Sequence, residues 1–167
     1  MRLRLLTAAL AIALVGCQGG LPGGAGNGDG TNENDCPECD FSGQDLTGKD
    51  FNNANLNRAN FKGAKLQDAN FSQAKLDNAD FSDADLTKAR FEEAGLNQAN
   101  LTNAILNEAL FNDAYMRGVN FEGAKVEGAD FSNADLLNAV PVPLDLEGAK
   151  TEGATLPEVP TDQAAPG

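Results

Sequence analysis

Among the 167 residues there is no histidine, no tryptophan, a single tyrosine (Tyr115) and only three cysteines. Without histidine the chain lacks the side chain that most often serves as general base or metal ligand near neutral pH, and no serine has a plausible base. Paired carboxylates such as Glu92 and Glu93, or Asp83 and Asp85, are neighbours by repetition and imply no cleft able to shift a pKa. The sequence therefore reads as non-catalytic, with no cofactor, metal or small-molecule substrate implied. Cys36 and Cys39 fall short of the four ligands of a structural zinc site, and a redox pair of the thioredoxin kind expects βαβ surroundings that are missing. The Asp29-Gly30 dipeptide suggests a calcium loop, but a loop aligned on Gly30 needs an acid at Ala25 and a glutamate at Cys36. The one long apolar run, Leu5 to Val15, is too short to cross a bilayer.

What is present is a period. From Phe41 to Leu136 a large apolar residue falls on every fifth position, and two places before most of them stands an alanine, as at Ala54, Ala59, Ala64, Ala69, Ala74 and Ala79. A helix repeats its apolar face every 3.6 residues and a strand every 2, so a sustained step of five means that the chain turns at each repeat. Short extended runs alternating with corners wind into a solenoid whose small and large residues both face the axis. The large residue alternates mostly between Phe and Leu.

The unit A-[DNKR]-[FL]-x-x resembles the pentapeptide repeat family, strongly from Cys36 to about Ala139 and weakly on to Leu156. The resemblance implies an all-β, right-handed quadrilateral β-helix with one pentapeptide per side and twenty residues per coil, hence about five to six coils over residues 36–156. On such a coil Phe41, Phe61, Phe81 and Phe121 share one column and Phe51, Phe71, Phe91, Phe111 and Phe131 the opposite one. Coils stacked at about 4.8 Å give a rod of roughly 30 Å. Cys36 and Cys39 take the large and small positions of the first coil; a disulfide and two packed thiols are both compatible with that. Similar CPxCDL openings in the family imply a capping role.

The N-terminus carries a different signal. Arg2 and Arg4 followed by Leu5 to Val15 have the form of a secretory signal peptide over residues 1–16. Its end, Leu14-Val15-Gly16-Cys17, resembles a bacterial lipobox, which implies cleavage before Cys17, lipidation of that cysteine and attachment to a membrane of the cell envelope. Gln18 stands where an Asp is associated with inner-membrane retention, so the resemblance favours the outer membrane in a two-membrane envelope. Residues 18–35 read as a flexible tether with an r.m.s. span of roughly 23 Å.

Charge suggests a second function. The chain has a formal charge of −13, and loss of Arg2 and Arg4 leaves −15. Some family members are acidic rods that resemble duplex DNA and bind DNA gyrase. Here the stretch from Asp40 to Ala139 has sixteen acids against nine bases, a net of −7, and Lys62, Lys65, Lys75, Lys88, Arg90, Arg117 and Lys125 interrupt the acidic columns. That mixture reads as solubilising charge, and the export signal separates the chain from gyrase. The chain thus reads as a structural or protein-binding module, with the topoisomerase-binding DNA mimic as alternative and no nucleic-acid partner. The residue before the large one is usually polar but becomes Ile105, Leu110 and Tyr115 in successive units, beside Met116. These are either a contact patch or scattered surface hydrophobes. After Ala139 the register decays, with Pro141 and Thr151 at large-residue positions. Residues 140–156 read as an irregular cap and residues 157–167 as a disordered tail.

Overall fold

The computed structural model describes residues 34–141 and 145–158. They wind into a β-helix of square section. Each outward residue preceding a large apolar one bridges in parallel to its equivalent twenty residues on: Asp40 to Asn60, Asn60 to Asp80, Asp80 to Asn100 and Asn100 to Asn120 on one side, with three comparable series on the others. We name the sides after their first large residue: the Phe41, Leu46, Phe51 and Leu56 sides.

Four of the five N–H groups of a repeat are satisfied by backbone. In the unit at Phe71, the Phe71 N–H donates to Arg90 O (2.7 Å) and the Gln73 N–H to Glu92 O (2.8 Å) in the next coil, while the Asn70 N–H donates to Lys49 O (2.9 Å) in the previous one. The Ala74 N–H closes the corner on Phe71 O at 3.0 Å. Corner closure requires the second residue after the large one to be left-handed. From Glu38 to Gly153 every described residue at that position has φ between 58° and 81°, and fifteen of them are not glycine, including Arg58 and Lys88. A coil with unsatisfied ladder groups costs more than the strain of one left-handed residue, so the ladder fixes the corner whatever the side chain.

The interior is a filled column. Phe51, Phe61, Phe71, Phe81, Phe91, Phe111 and Phe131 are fully buried, as are the leucines from Leu56 to Leu106 and the alanines between them. Rings on the Phe51 side stack at centroid separations of 4.8 to 4.9 Å from Phe51 through Phe131. On the Phe41 side the stack runs Phe41, Phe61, Phe81 and is then interrupted by Leu101, which separates Phe81 from Phe121. Opposite columns meet edge to face, as Phe81 and Phe91 do at 5.8 Å and 90°. In the first coil the small positions hold Cys39, Gln44 and Lys49, the last two half-buried.

The regular ladder ends near residue 140. Val140 bridges to Asn120, but among the described residues no bridge joins Lys125 to Asp145. When pairing resumes, the Gly128 N–H donates to Gly148 O, twenty residues on, whereas the corresponding Glu108 N–H donates to Glu127 O, nineteen on. Leu146, Ala149 and Ala154 pack partly against the core, and Leu156 is 48% exposed.

Candidate functional site

The outward surface is built by the residue before each large one. The first N–H after the large residue has no backbone acceptor, and an Asp or Asn at the bridging position supplies one: Ser42 donates to Asp40 Oδ1 (2.9 Å), Asn52 to Asp50 (3.0 Å), Lys62 to Asn60 (3.0 Å) and Ser82 to Asp80 (2.9 Å). On the Leu56 side, where the bridging residues are Lys75, Gly95 and Tyr115, the acceptor comes from the coil before. Asp77, Asn97 and Arg117 donate their N–H groups to Asn57, Asp77 and Asn97 Oδ1 at 2.9, 2.9 and 3.2 Å. Most polar groups that looked like candidate chemistry are thus structural acceptors.

Their electrostatics agree. Asp40 and Asp45 are held below the ordinary carboxyl value of 3.8, chiefly by hydrogen bonds from the side chain and then the backbone of Ser42 and Thr47 respectively. Asp130 is lowered in the same way by Ser132, with Lys150 adding to it. Burial pushes Glu92 up, but its own backbone N–H, Arg90 and Ser72 together outweigh that and leave it lowered. All four are biased toward the carboxylate, the form that accepts hydrogen bonds rather than supplying a proton. Several charges pair between successive coils: Arg58 with Glu38 (3.1 Å), Lys65 with Asp45 (3.6 Å), Lys88 with Glu108 (3.7 Å) and Lys150 with Asp130 (3.3 Å).

The residues singled out by sequence fall as follows. Cys17 lies outside the described residues. Cys36 and Cys39 form a disulfide with their Cα atoms 5.4 Å apart, with Cys39 buried and Cys36 half-buried over the core. Thiol titration of the unfolded, unreduced protein is expected to find neither of them reactive, and both after reduction. Because the closed loop is so short, replacing both by alanine should cost only about 1–2 kcal/mol in a denaturant melt.

Ile105, Leu110 and Tyr115 do not form one patch. They bridge in three different columns, Ile105 between Asp85 and Lys125, Leu110 between Arg90 and Asp130, Tyr115 between Gly95 and Asp135. Successive units occupy successive sides, so Ile105 and Tyr115 lie on opposite sides of the rod. Ile105 and Leu110 are half-buried between their coil neighbours and Met116 is fully buried; Tyr115 alone is exposed, at 59%. Five-residue spacing is a quarter-turn, so neighbours in this repeat order sit on adjoining sides and the outcome is that of scattered surface hydrophobes.

Shallow clefts open among the described residues. One of about 540 Å3 opens where the last coil leaves the ladder, lined by Asn107, Lys125, Glu127, Asp145 and Glu147 among others, with Asn107 Oδ1 buried and unpartnered. Another, of about 260 Å3, lies beside Pro37, Arg58 and Asp77. Among the described residues no group of acids and cysteines is placed to hold a metal ion.

Square coils of twenty residues, a Phe/Leu/Ala interior and left-handed corners define the class: a right-handed quadrilateral β-helix solenoid. The family model for pentapeptide repeats matches residues 35–73, 64–99 and 94–133, in eight copies, and the chain belongs to that family. It is similar to a pentapeptide repeat protein of the Arabidopsis thaliana thylakoid lumen, with 36% identity over 61% of this chain and 71% of that one and a TM-score of 0.60. Further similar structures are HetL, a pentapeptide repeat protein involved in heterocyst differentiation regulation in the cyanobacterium Nostoc sp. strain PCC 7120 (26% identity, 75% and 69% covered, TM-score 0.46), and another Nostoc pentapeptide repeat protein (31%, 68% and 84%, TM-score 0.42). No curated protein sequence matches the chain.

Proposed function

We propose that this is a non-catalytic, lipid-anchored scaffold of the bacterial cell envelope, a rigid rod that presents its sides to a protein partner. The observation that carries the reading is Leu14-Val15-Gly16-Cys17 at the end of a charged-then-apolar leader. A cysteine there accepts a diacylglyceryl group and becomes the acylated N-terminus. Each buried methylene adds about 0.8 kcal/mol, so a multiply acylated cysteine is a lasting anchor where one chain is marginal. Residues 18–35 then act as tether, and Gln18 favours the outer membrane where there is one. The binding role is supported by the economy of the surface: Asp and Asn side chains along the rod are occupied in holding corners, which leaves shape and charge pattern for recognition. The similar Arabidopsis protein comes from a lumenal compartment, in keeping with function on the far side of a membrane. Acids interleaved with lysine and arginine, several of them paired between coils, lack the dense anionic face that DNA mimicry needs.

The test is metabolic labelling. Labelled palmitate should enter the wild-type chain and fractionate with membranes, and both should be lost in Cys17→Ala. Label retained by the variant, or wild-type chain in the soluble fraction, overturns the anchor.

A further inference from the structure

The Leu56 side differs from the other three. Between Asp40 and Ala139 the outward residues of the Phe41, Leu46 and Phe51 sides carry net charges of −3, −2 and −4, whereas the Leu56 side has three bases (Arg58, Lys75, Arg117) against two acids (Asp77, Asp135), a net of +1. Two copies of an acidic rod that approach through any other side meet acid against acid; this side, with bases and acids nearly balanced, carries the least repulsion.

Its central column is Lys75, Gly95, Tyr115, Asp135, each bridged to the next. Tyr115 is the most exposed large hydrophobic residue described. Gly95 is the anomaly. The other described glycines occupy left-handed corners, but Gly95 occupies a bridging position without positive φ, and a Cβ built on it meets only Asp77 Oδ1, at an ordinary 3.7 Å. Nothing in its own coil requires a glycine, and a glycine inside a strand weakens it unless something else must come close. Beside the protruding ring, therefore, lies a hollow one strand-spacing away. Lys75 forms no ion pair among the described residues.

We propose that a second copy of this chain docks on the Leu56 side, antiparallel, about a two-fold axis that crosses the rod between Gly95 and Tyr115. Such an axis sets each outward column against itself in reverse order. Tyr115 of each copy then enters the Gly95 hollow of the other, and Lys75 twice faces Asp135, which Arg117 of the same chain also holds at 2.6 Å. In the parallel arrangement Tyr115 would meet Tyr115 and Lys75 would meet Lys75, so knob, hollow and charge all select the antiparallel one. Contact along a single side is narrow, which places the dimer among weak, reversible associations.

Sedimentation of the full-length chain in non-ionic detergent, over a concentration series, should show monomer passing to dimer. Gly95→Trp fills the hollow and Lys75→Glu sets acid against acid; each should weaken the dimer roughly tenfold or more with thermal melts matching the wild type. Asp135→Lys, which also takes the ion-pair partner from Arg117 and the acceptor from the Leu137 N–H, should weaken the dimer as well but lower the melt, and an equimolar mixture of the Lys75→Glu and Asp135→Lys chains, which restores both opposite-charge contacts, should associate where neither does alone. If Asp135→Lys is poorly folded, the other two variants still decide. A chain that is monomeric throughout overturns the proposal. So does a dimer indifferent to Gly95→Trp and Lys75→Glu, which assigns association to the lipid end. A foreign protein lost on Gly95→Trp while the chain itself stays monomeric also overturns it and gives this side to another partner.

Discussion

Phe91→Ala is expected to destabilise the rod by about 3–5 kcal/mol, and Leu156→Ala by less than about 1 kcal/mol. Phe91 is fully buried, stacked on Phe71 at 4.9 Å and Phe111 at 4.8 Å and edge-on to Phe81. Truncation removes the transfer energy of the ring and leaves a void between two rings whose coils cannot close on it. Coil spacing on either side is held by bonds such as Phe71 N–H to Arg90 O and Phe91 N–H to Leu110 O, both 2.7 Å, and a cavity that cannot collapse keeps its full cost. Leu156 is 48% exposed at the end of the described residues and has little burial to lose. Urea unfolding of the two variants measures the contrast. Equal losses at centre and end would contradict a stability summed from neighbouring coils.

The same arithmetic explains what could be read from sequence. The step of five and the alanine two places earlier identify the inward residues because only those positions are sterically and chemically constrained; from Phe51 to Ala139 nearly all are buried. The corners were hidden. Arg58, Lys88 and Glu93 are left-handed although nothing in their side chains asks for it, since the coils above and below impose the angle. The Asp and Asn residues before Phe were legible as polarity but not as acceptors for the N–H two residues on, a role visible only once the backbone ladder is seen to leave that one donor over. The candidate surface was least legible. Ile105, Leu110 and Tyr115 look clustered along the chain and are dispersed around the rod. Gly95 passes unnoticed among eighteen glycines until its φ sets it apart from those at corners.

Deleting one residue from the middle of the rod is expected to be more damaging than deleting twenty. Removal of residues 70–89 excises one whole coil: Ala69 is followed by Arg90 and Phe91, the A-x-F order is kept, and every later residue retains its side and its inward or outward sense. The product should be a shorter rod with the same far-UV spectrum and a single cooperative transition, weakened by the interface of one coil. Removal of Asn78 alone forces a choice. Either Ala79 and everything after it slip by one position, which turns Phe81, Leu86 and Phe91 away from the core at about 1.5–3 kcal/mol each, or one corner closes with four residues. The second route loses the left-handed residue that lets the Ala79 N–H reach Leu76 O, along with the bond from the Asn78 N–H to Asn97 O (2.9 Å). Either way the loss should exceed about 3 kcal/mol and appear as a broadened transition, with proteolysis starting near residue 78. The native chain's own irregularity, the Gly128 to Gly148 pairing, is confined to one bond, since the Phe131 N–H again donates nineteen residues on, to Lys150 O, and the register of the described residues after it is kept. A single-residue deletion at Asn78 that melts as sharply and as late as the twenty-residue excision would mean that register is not what holds the coils together.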